Sequence, residues 1–210
     1  MTPLSAPWRA ALEEAWTAYG EGSYAIGACI ADEHGTVLAR GRNRLGAARR
    51  VHGAEGSGFV AGHDLAHAEI NALLDLRDVP RPECYGWTVH TTVEPCPQCA
   101  GAVAMSSIRG VSYAAPDPWA GAADILTDHR YVSRKGMRVS RAPEDVQRAA
   151  LRLALTSFLR EGHDALGHFL QTFHEYAPDV EFAARLHRSR TLDALAERRA
   201  PLADALAVLA

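Results

Sequence analysis

Ala66-His67-Ala68-Glu69-Ile70, followed by Thr92-Val93-Glu94-Pro95-Cys96-Pro97-Gln98-Cys99, is the pair of segments around which the rest of the chain is read. One imidazole and two thiolates make three soft ligands suited to zinc. Three protein ligands leave the fourth tetrahedral position open for water, which marks a catalytic site rather than a structural one. Glu69 follows the imidazole closely and is placed to move protons rather than to bind metal. C-x-x-C spacing brings both sulfurs to one point when a turn runs into a helix, and Pro95 and Pro97 suit a first helical turn, where missing N–H groups cost little. The positive end of that helix and its free N–H groups stabilise thiolates. His67 lies near the start of the preceding helix. In a sheet of parallel strands, both helix N-termini then sit at the C-terminal strand edges, where ligands usually bind.

Working outward, Pro7 opens a helix with Trp8, Leu12, Trp16 and Tyr19 on one face, ending near Gly20 or Gly22. Ser23 to Ala31 reads as a strand, Asp32-Glu33-His34-Gly35 as a turn and Thr36 to Arg42 as the return strand of a hairpin. Residues 44–62 are rich in Gly, Ala and Arg without a period and read as a long loop, commonly functional in a compact domain. Asp64 is positioned to cap a helix to about Arg77, with Ile70, Leu73, Leu74 and Leu76 inward, ended by Pro80 and Pro82. Trp87 to Val93 is a strand, Pro95 to Ser107 a helix, Gly110 to Ala115 a strand, Asp117-Pro118-Trp119 a turn and Met137 to Ser140 a weak strand. Helix–strand alternation from Asp64 onward predicts parallel strands with crossover helices, an α/β sandwich. From Pro143 the pattern is helical, punctuated by Gly162, Pro178 and Pro201. This divides the chain into 1–142 and a helical extension, 143–210. The apolar series Leu151, Leu155, Phe158, Leu159 and Leu166, Phe169, Leu170, Phe173 need a partner surface, either the core or a neighbouring chain.

The 210 residues are 48% hydrophobic and 22% charged, enough to bury a core. Acidic residues outnumber basic ones, 25 to 22, and Lys135 is the only lysine, a poor footprint for nucleic-acid binding. Residues 1–16 carry Arg9, Glu13 and Glu14 and lack an apolar run, so a signal peptide is not expected. No stretch approaches the roughly 18 apolar residues of a membrane span. Cys29 and Cys84 lie apart from the C-x-x-C and from each other, which fits reduced cytoplasmic thiols better than a disulfide framework.

A C-x-x-C alone is more often a redox pair or half a structural zinc site, and an H-x-E alone says little. A closed four-cysteine site using Cys29 and Cys84 lacks the second C-x-x-C such sites show. A thioredoxin-type pair fits no better, because Pro95 precedes the first cysteine and an H-x-E lies upstream.

Together the two segments, with Ala72-Leu73 and Gly101-Ala102, resemble the cytidine and deoxycytidylate deaminase superfamily, best its tRNA-adenosine, guanine and cytosine deaminase branch; H-x-E with P-C-x-x-C is the general signature of zinc nucleobase deaminases. Ile108 to Tyr113 and Asp117-Pro118 with Gly121 look like the next strand and turn. The resemblance runs from about Ala10 to Arg141. It leaves out the C-terminal helices, and the 44–62 loop is longer than usual. It implies a three-layer α/β/α sandwich with a five-stranded mixed sheet, order 2-1-3-4-5. It further implies one Zn2+ per chain on His67, Cys96 and Cys99, Glu69 acting alternately as base and acid, and assembly as a homodimer or larger. Asn43 matches a substrate-binding asparagine, and Ala68, Asp117 and Trp119 are further substrate-binding candidates. A turn residue is the simplest reading of Asp117, and packing that of Trp119. Glu94 is expected to tie down the cysteine loop rather than react. His63, His90 and His129 read as ordinary polar or packed residues, and Arg44, Arg49 and Arg50 as a solvated loop, though they could hold a phosphate.

The leading expectation is a zinc-dependent hydrolytic deaminase of a nucleobase, nucleoside or related small heterocycle, without a nucleic-acid or membrane partner. The alternatives are a tRNA adenosine deaminase, against which the mild acidity argues, and a non-catalytic zinc-stabilised interaction module, in which Glu69 would have no purpose.

Overall fold

The structure is a computed structural model that describes residues 3–54, 57–162 and 168–210. Helix α1 (Ala6–Gly20) has Pro7 in its first turn and buries Trp8, Leu12, Trp16 and Tyr19, the face its apolar period predicts. Strand β1 (Gly27–Ala31) is wholly buried and pairs antiparallel with β2 (Val37–Arg42), Gly27 facing Arg42. Its other edge pairs antiparallel with β5 (Thr88–Val93), to which β6 (Gly110–Ala115) and then β7 (Arg138–Arg141) add in parallel. The sheet order is β2-β1-β5-β6-β7, which is the order 2-1-3-4-5 when these five strands are counted alone. Strand β1 begins four residues later than the apolar run Ser23 to Ala31 suggests.

The segment read as a long loop instead carries a second, two-stranded sheet, β3 (Arg50–Ala54) and β4 (Ser57–Ala61), paired from Arg50–Ala61 to Ala54–Ser57. Gly and Ala supply no alternating pattern, so the sequence signal is absent; backbone pairing and one side chain make the hairpin. That side chain is Asn71 of helix α2 (Ala68–Asp75). Its amide behaves like a strand neighbour, Oδ1 accepting the Val60 N–H (2.6 Å) and Nδ2 donating to the Val60 and Arg42 carbonyls (3.0 Å each).

Helix α2 also corrects the expected helix from Asp64 to Arg77. It starts at Ala68, with His67 rather than Asp64 at the cap position, and its buried residues are Ala68, Glu69, Asn71 and Ala72. Leu74 is exposed, and Ile70, Leu73 and Leu76 are only partly buried. The cause is close approach: a Cβ on Gly41 of β2 would collide with the Ala68 carbonyl and the Ala72 amide. Helix and strand touch through backbone, so small residues face inward and the leucines rotate to the flanks.

Helix α3 (Pro97–Met105) shares this face of the sheet with α2 and the short α4 (Ile125–Asp128), over a core of Ala72, Val89, Val103, Val111 and Leu126. The opposite face is covered by α1 and α5 (Glu144–Arg160), with Trp8, Leu12, Cys29, Leu151 and Leu155 between. Helices on both faces make the α/β/α sandwich. Beyond α5 come α6 (Phe169–Thr172), α7 (Ala177–Ser189), α8 (Thr191–Glu197) and α9 (Leu202–Leu209). These pack on this chain's own α1 and α5: Leu186, Leu192, Leu195 and Leu209 cluster with Trp16, Tyr19 and Leu153. Trp16 Nε1 donates to the Ala200 carbonyl (2.8 Å), and Arg152 of α5 reaches Asp179 (2.7 Å) and the Leu209 and Ala210 carbonyls (2.8 Å each). Leu151, Leu155, Phe158, Phe169 and Phe173 are buried; Leu166 lies outside the described residues. Among the described residues, no helix is long and apolar enough to cross a membrane.

Candidate metal centre and active site

His67 and Cys96 occupy equivalent places, each in extended conformation at the cap position of a helix, α2 and α3 respectively. Cys99 follows in the first turn of α3. His67 Nδ1 lies 3.5 Å from both Cys96 Sγ and Cys99 Sγ, and the three ligand atoms fall within 4.8 Å of one another. A tetrahedral centre with Zn–S near 2.3 Å and Zn–N near 2.0–2.1 Å separates a nitrogen and a sulfur ligand by about 3.5 Å. The cluster therefore fits one zinc, held by three protein atoms with a position left over. Cys29 and Cys84 do not join it: both are buried elsewhere, and Cys29 Sγ contacts the Pro7 carbonyl. A four-cysteine site is thereby ruled out.

The electrostatics suit a metal. A hydrogen bond from Cys99, helped by His67, brings the Cys96 thiol down to about 4, while the same bond and burial push Cys99 up. The bond to Cys96 also raises His67. Zinc is held by thiolates, so metal binding is linked to loss of the cysteine protons.

These residues form one side of a cavity of ≈ 140 Å³. Glu69, only 4% exposed, reaches it from the first turn of α2. Thr91 Oγ1 of β5 donates to Glu69 Oε1 at 2.7 Å, leaving Oε2 for other partners. Sequence reasoning missed Thr91; the only available signal was its place two residues before Val93 on the strand feeding the cysteines. Asn43, also buried, stands at the end of β2 with its Oδ1 accepting the Leu45 N–H (3.0 Å), so its NH₂ is the group left for the cavity.

Ala68 and Asp117 also line the cavity. Asp117 is a turn residue whose Oδ1 accepts the Trp119 and Ala120 N–H groups (3.1 and 3.0 Å), and burial raises its carboxyl above the usual range. Glu94, expected to tie down the cysteine loop, instead braces the loop after β6: its oxygens accept the Asp117 and Ala123 N–H groups, both at 3.3 Å, and Gly121 lies so close that a side chain there would meet the carboxylate.

Three aromatic rings complete the cavity with Trp119: Tyr24, Phe158 of α5 and Phe169 of α6. None was singled out from sequence as a site residue, because at helical spacing a Phe reads as core. Arg44 stacks over Phe59 at 4.4 Å outside this cavity, and no Lys or Arg is among the described residues lining it. A wider groove of ≈ 690 Å³ between α1, α5 and α8 contains Arg190, which pairs with Asp193 and Glu197 (3.3 and 3.4 Å), and holds no metal-ligand cluster.

An α/β/α sandwich with an open three-ligand zinc site and a buried carboxylate beside it defines a zinc-hydrolase class of site. The chain belongs to the cytidine and deoxycytidylate deaminase family: the family described by its zinc-binding region matches residues 1–115, which include all three ligands and Glu69. The chain is similar to a cytosine deaminase of Candida albicans, 31% identical over 101 residues, covering 48% of this chain and 59% of the relative. It is likewise similar to a tRNA-specific adenosine deaminase of Bacillus subtilis, 31% identical over 117 residues, covering 55% and 64%. The chain thus spans less than two thirds of these relatives' lengths. Among solved structures, a guanine deaminase from Nitrosomonas europaea shares the fold at 21% identity and TM-score 0.52, over 75% of this chain and 85% of that one.

Proposed function

We propose that this protein is a hydrolytic deaminase that converts a small aminated heterocycle, of nucleobase or nucleoside type, to its oxo form with release of ammonia. The observation that carries it is Glu69, a buried carboxylate in the same cavity as the His67, Cys96 and Cys99 cluster. A structural zinc has no use for such a group. When bound, zinc would supply Lewis acidity, bringing the pKa of a coordinated water to near neutrality. Glu69 Oε2 would take one proton of the attacking water and deliver it to the ring nitrogen, then take the remaining proton of the added hydroxyl as the new carbonyl forms and give it to the departing amine, so that one carboxylate acts as base and acid in turn. Thr91 fixes the carboxylate through Oε1 throughout. Asn43 would offer its NH₂ to a ring acceptor and Asp117 its free oxygen to a ring donor.

A small substrate rather than tRNA is supported by the acidic balance and by the lack of cations among the described cavity residues, since polynucleotide affinity comes largely from Lys and Arg on phosphates. We include in this reading a cytoplasmic homodimer and a division into a catalytic domain, 1–142, and a helical extension, 143–210. The experiment has two arms. Elemental analysis of the Cys96→Ala and Cys99→Ala variants should show most zinc gone; full retention in both removes the ligand assignment. Ammonia release from a panel of bases and nucleosides is then compared with an anticodon stem-loop at physiological salt. Turnover of the stem-loop with silence across the panel would reverse the substrate reading.

A further inference from the structure

The side of the cavity facing the metal cluster is built from rings. Tyr24 packs edge-on to Phe158 (5.5 Å between centroids, 66°), Phe158 to Phe169 (5.2 Å, 83°) and Phe169 to Trp119 (5.9 Å, 72°). The four rings form a chain of contacts from the loop after α1, through α5 and α6, to the loop after β6. Phe173 braces Phe169 from behind at 5.2 Å. Phe158, Phe169 and Phe173 are buried, whereas Trp119 is 53% exposed at the mouth.

The cavity volume is ≈ 140 Å³. A dry apolar cavity of about 150 Å³ holds one benzene ring, and a water occupies about 30 Å³. Drug-sized ligands sit in pockets of roughly 300–1,000 Å³. One six-membered ring takes up the space, and a fused second ring or a ribose exceeds it. The polar inventory agrees. Of the groups away from the metal cluster, Glu94 has both oxygens on backbone N–H groups, and Asp117 and Asn43 have one oxygen each so committed. What remains serves the edge of one ring. Ribose hydroxyls pushed against Phe158 and Phe169 would lose water without gaining partners, which costs free energy for each group left unpaired.

We infer that the substrate is a free single-ring aminated base of pyrimidine type, and that the ring wall of Tyr24, Phe158, Phe169 and Trp119, half of it supplied by α5 and α6, is what rejects nucleosides. The inference rests on the deaminase reading above and narrows its substrate. Phe158 and Phe169 are specificity residues; they touch the ring, not the proton path.

The test compares kcat/KM of the zinc-loaded protein for cytosine, cytidine, guanine and guanosine, with calorimetric binding of uracil and uridine as a readout independent of turnover. Cytosine should exceed cytidine and guanine by at least about 100-fold, and uracil should bind where uridine does not. Trp119→Ala, at the exposed mouth and without a fold to break, should narrow the cytosine-to-cytidine ratio by about tenfold, chiefly through the KM of cytidine, and Trp119→Phe should restore it. Phe169→Ala should narrow it further where it folds. Cytidine or guanine turned over as well as cytosine, or a ratio unmoved by Trp119→Ala, overturns this inference and leaves the deaminase reading standing. Silence on all four compounds with zinc bound overturns this inference; the deaminase reading falls only when the wider base and nucleoside panel is silent as well.

Discussion

The two sides of the cavity are built by opposite means. The metal side comes from two short helix starts, α2 and α3, the first lying against the sheet backbone at Gly41; its positions follow from local spacing. The ring side comes from residues as distant as Tyr24, Trp119, Phe158 and Phe169, joined only by packing. On the proposed reading the first side carries the chemistry and the second sets the size of what can enter. Reactivity and selectivity are therefore separable here, and mutations on the two sides should fail in different currencies: rate on one, stability and substrate choice on the other.

The largest separation should come from Glu69→Gln. It keeps fold and zinc but loses turnover by at least about 10²- to 10⁴-fold, the usual range for a general acid–base group. Zinc content and kcat measured on one preparation check this, and near wild-type kcat takes Glu69 out of the mechanism. On the ring side, Phe169→Ala should act on stability first. Truncating a buried Phe costs about 3–5 kcal/mol, so its urea midpoint should fall well below that of wild type while the zinc content of the folded fraction stays at one per chain.

Acid should loosen the α1 side of the sheet. His90 of β5 packs edge-on to Trp8 at 5.1 Å, its Nδ1 has no partner, and burial brings it from 6.5 down to about 4. A histidine held neutral in the fold binds its proton more readily when unfolded. Its contribution is therefore fully present above about pH 6.5 and is lost as pH falls through 4. The lost stability amounts to about 3 kcal/mol at the low end. His90→Leu should flatten that part of the profile in denaturant midpoints taken between pH 7 and 4.5, and an unchanged slope would mean the imidazole is solvated. The smallest expected effect belongs to Thr91→Val. Losing one hydrogen bond to a charged group is worth about 1.5–3 kcal/mol, so kcat should fall by about 10- to 150-fold with KM and zinc unchanged. A matching loss of zinc would show that Thr91 supports the metal side as a whole rather than the carboxylate.

The elements legible in advance were those with a strong period or a strong stop. The face of α1, the span of β6 and the parallel pairing of β5, β6 and β7 follow from apolar periodicity and from Pro and Gly punctuation. The α2 face was misread, because its leucines promise a buried stripe and only the approach of Gly41 shows that alanines must take that place. The β3–β4 hairpin was invisible, because Asn71, a residue of another element, completes its hydrogen bonding.

By itself the sequence determined the metal chemistry. Ligand type and C-x-x-C spacing are local, helix starts place such residues reproducibly, and in H-x-E the histidine stands extended at the cap with the carboxylate in the first turn that follows. Tertiary structure alone decided what surrounds that chemistry: which threonine holds Glu69, which loop Glu94 braces, and that Phe158 and Phe169 close the cavity. These depend on long-range packing, and a phenylalanine at helical spacing carries the same signal whether it fills a core or walls a substrate pocket.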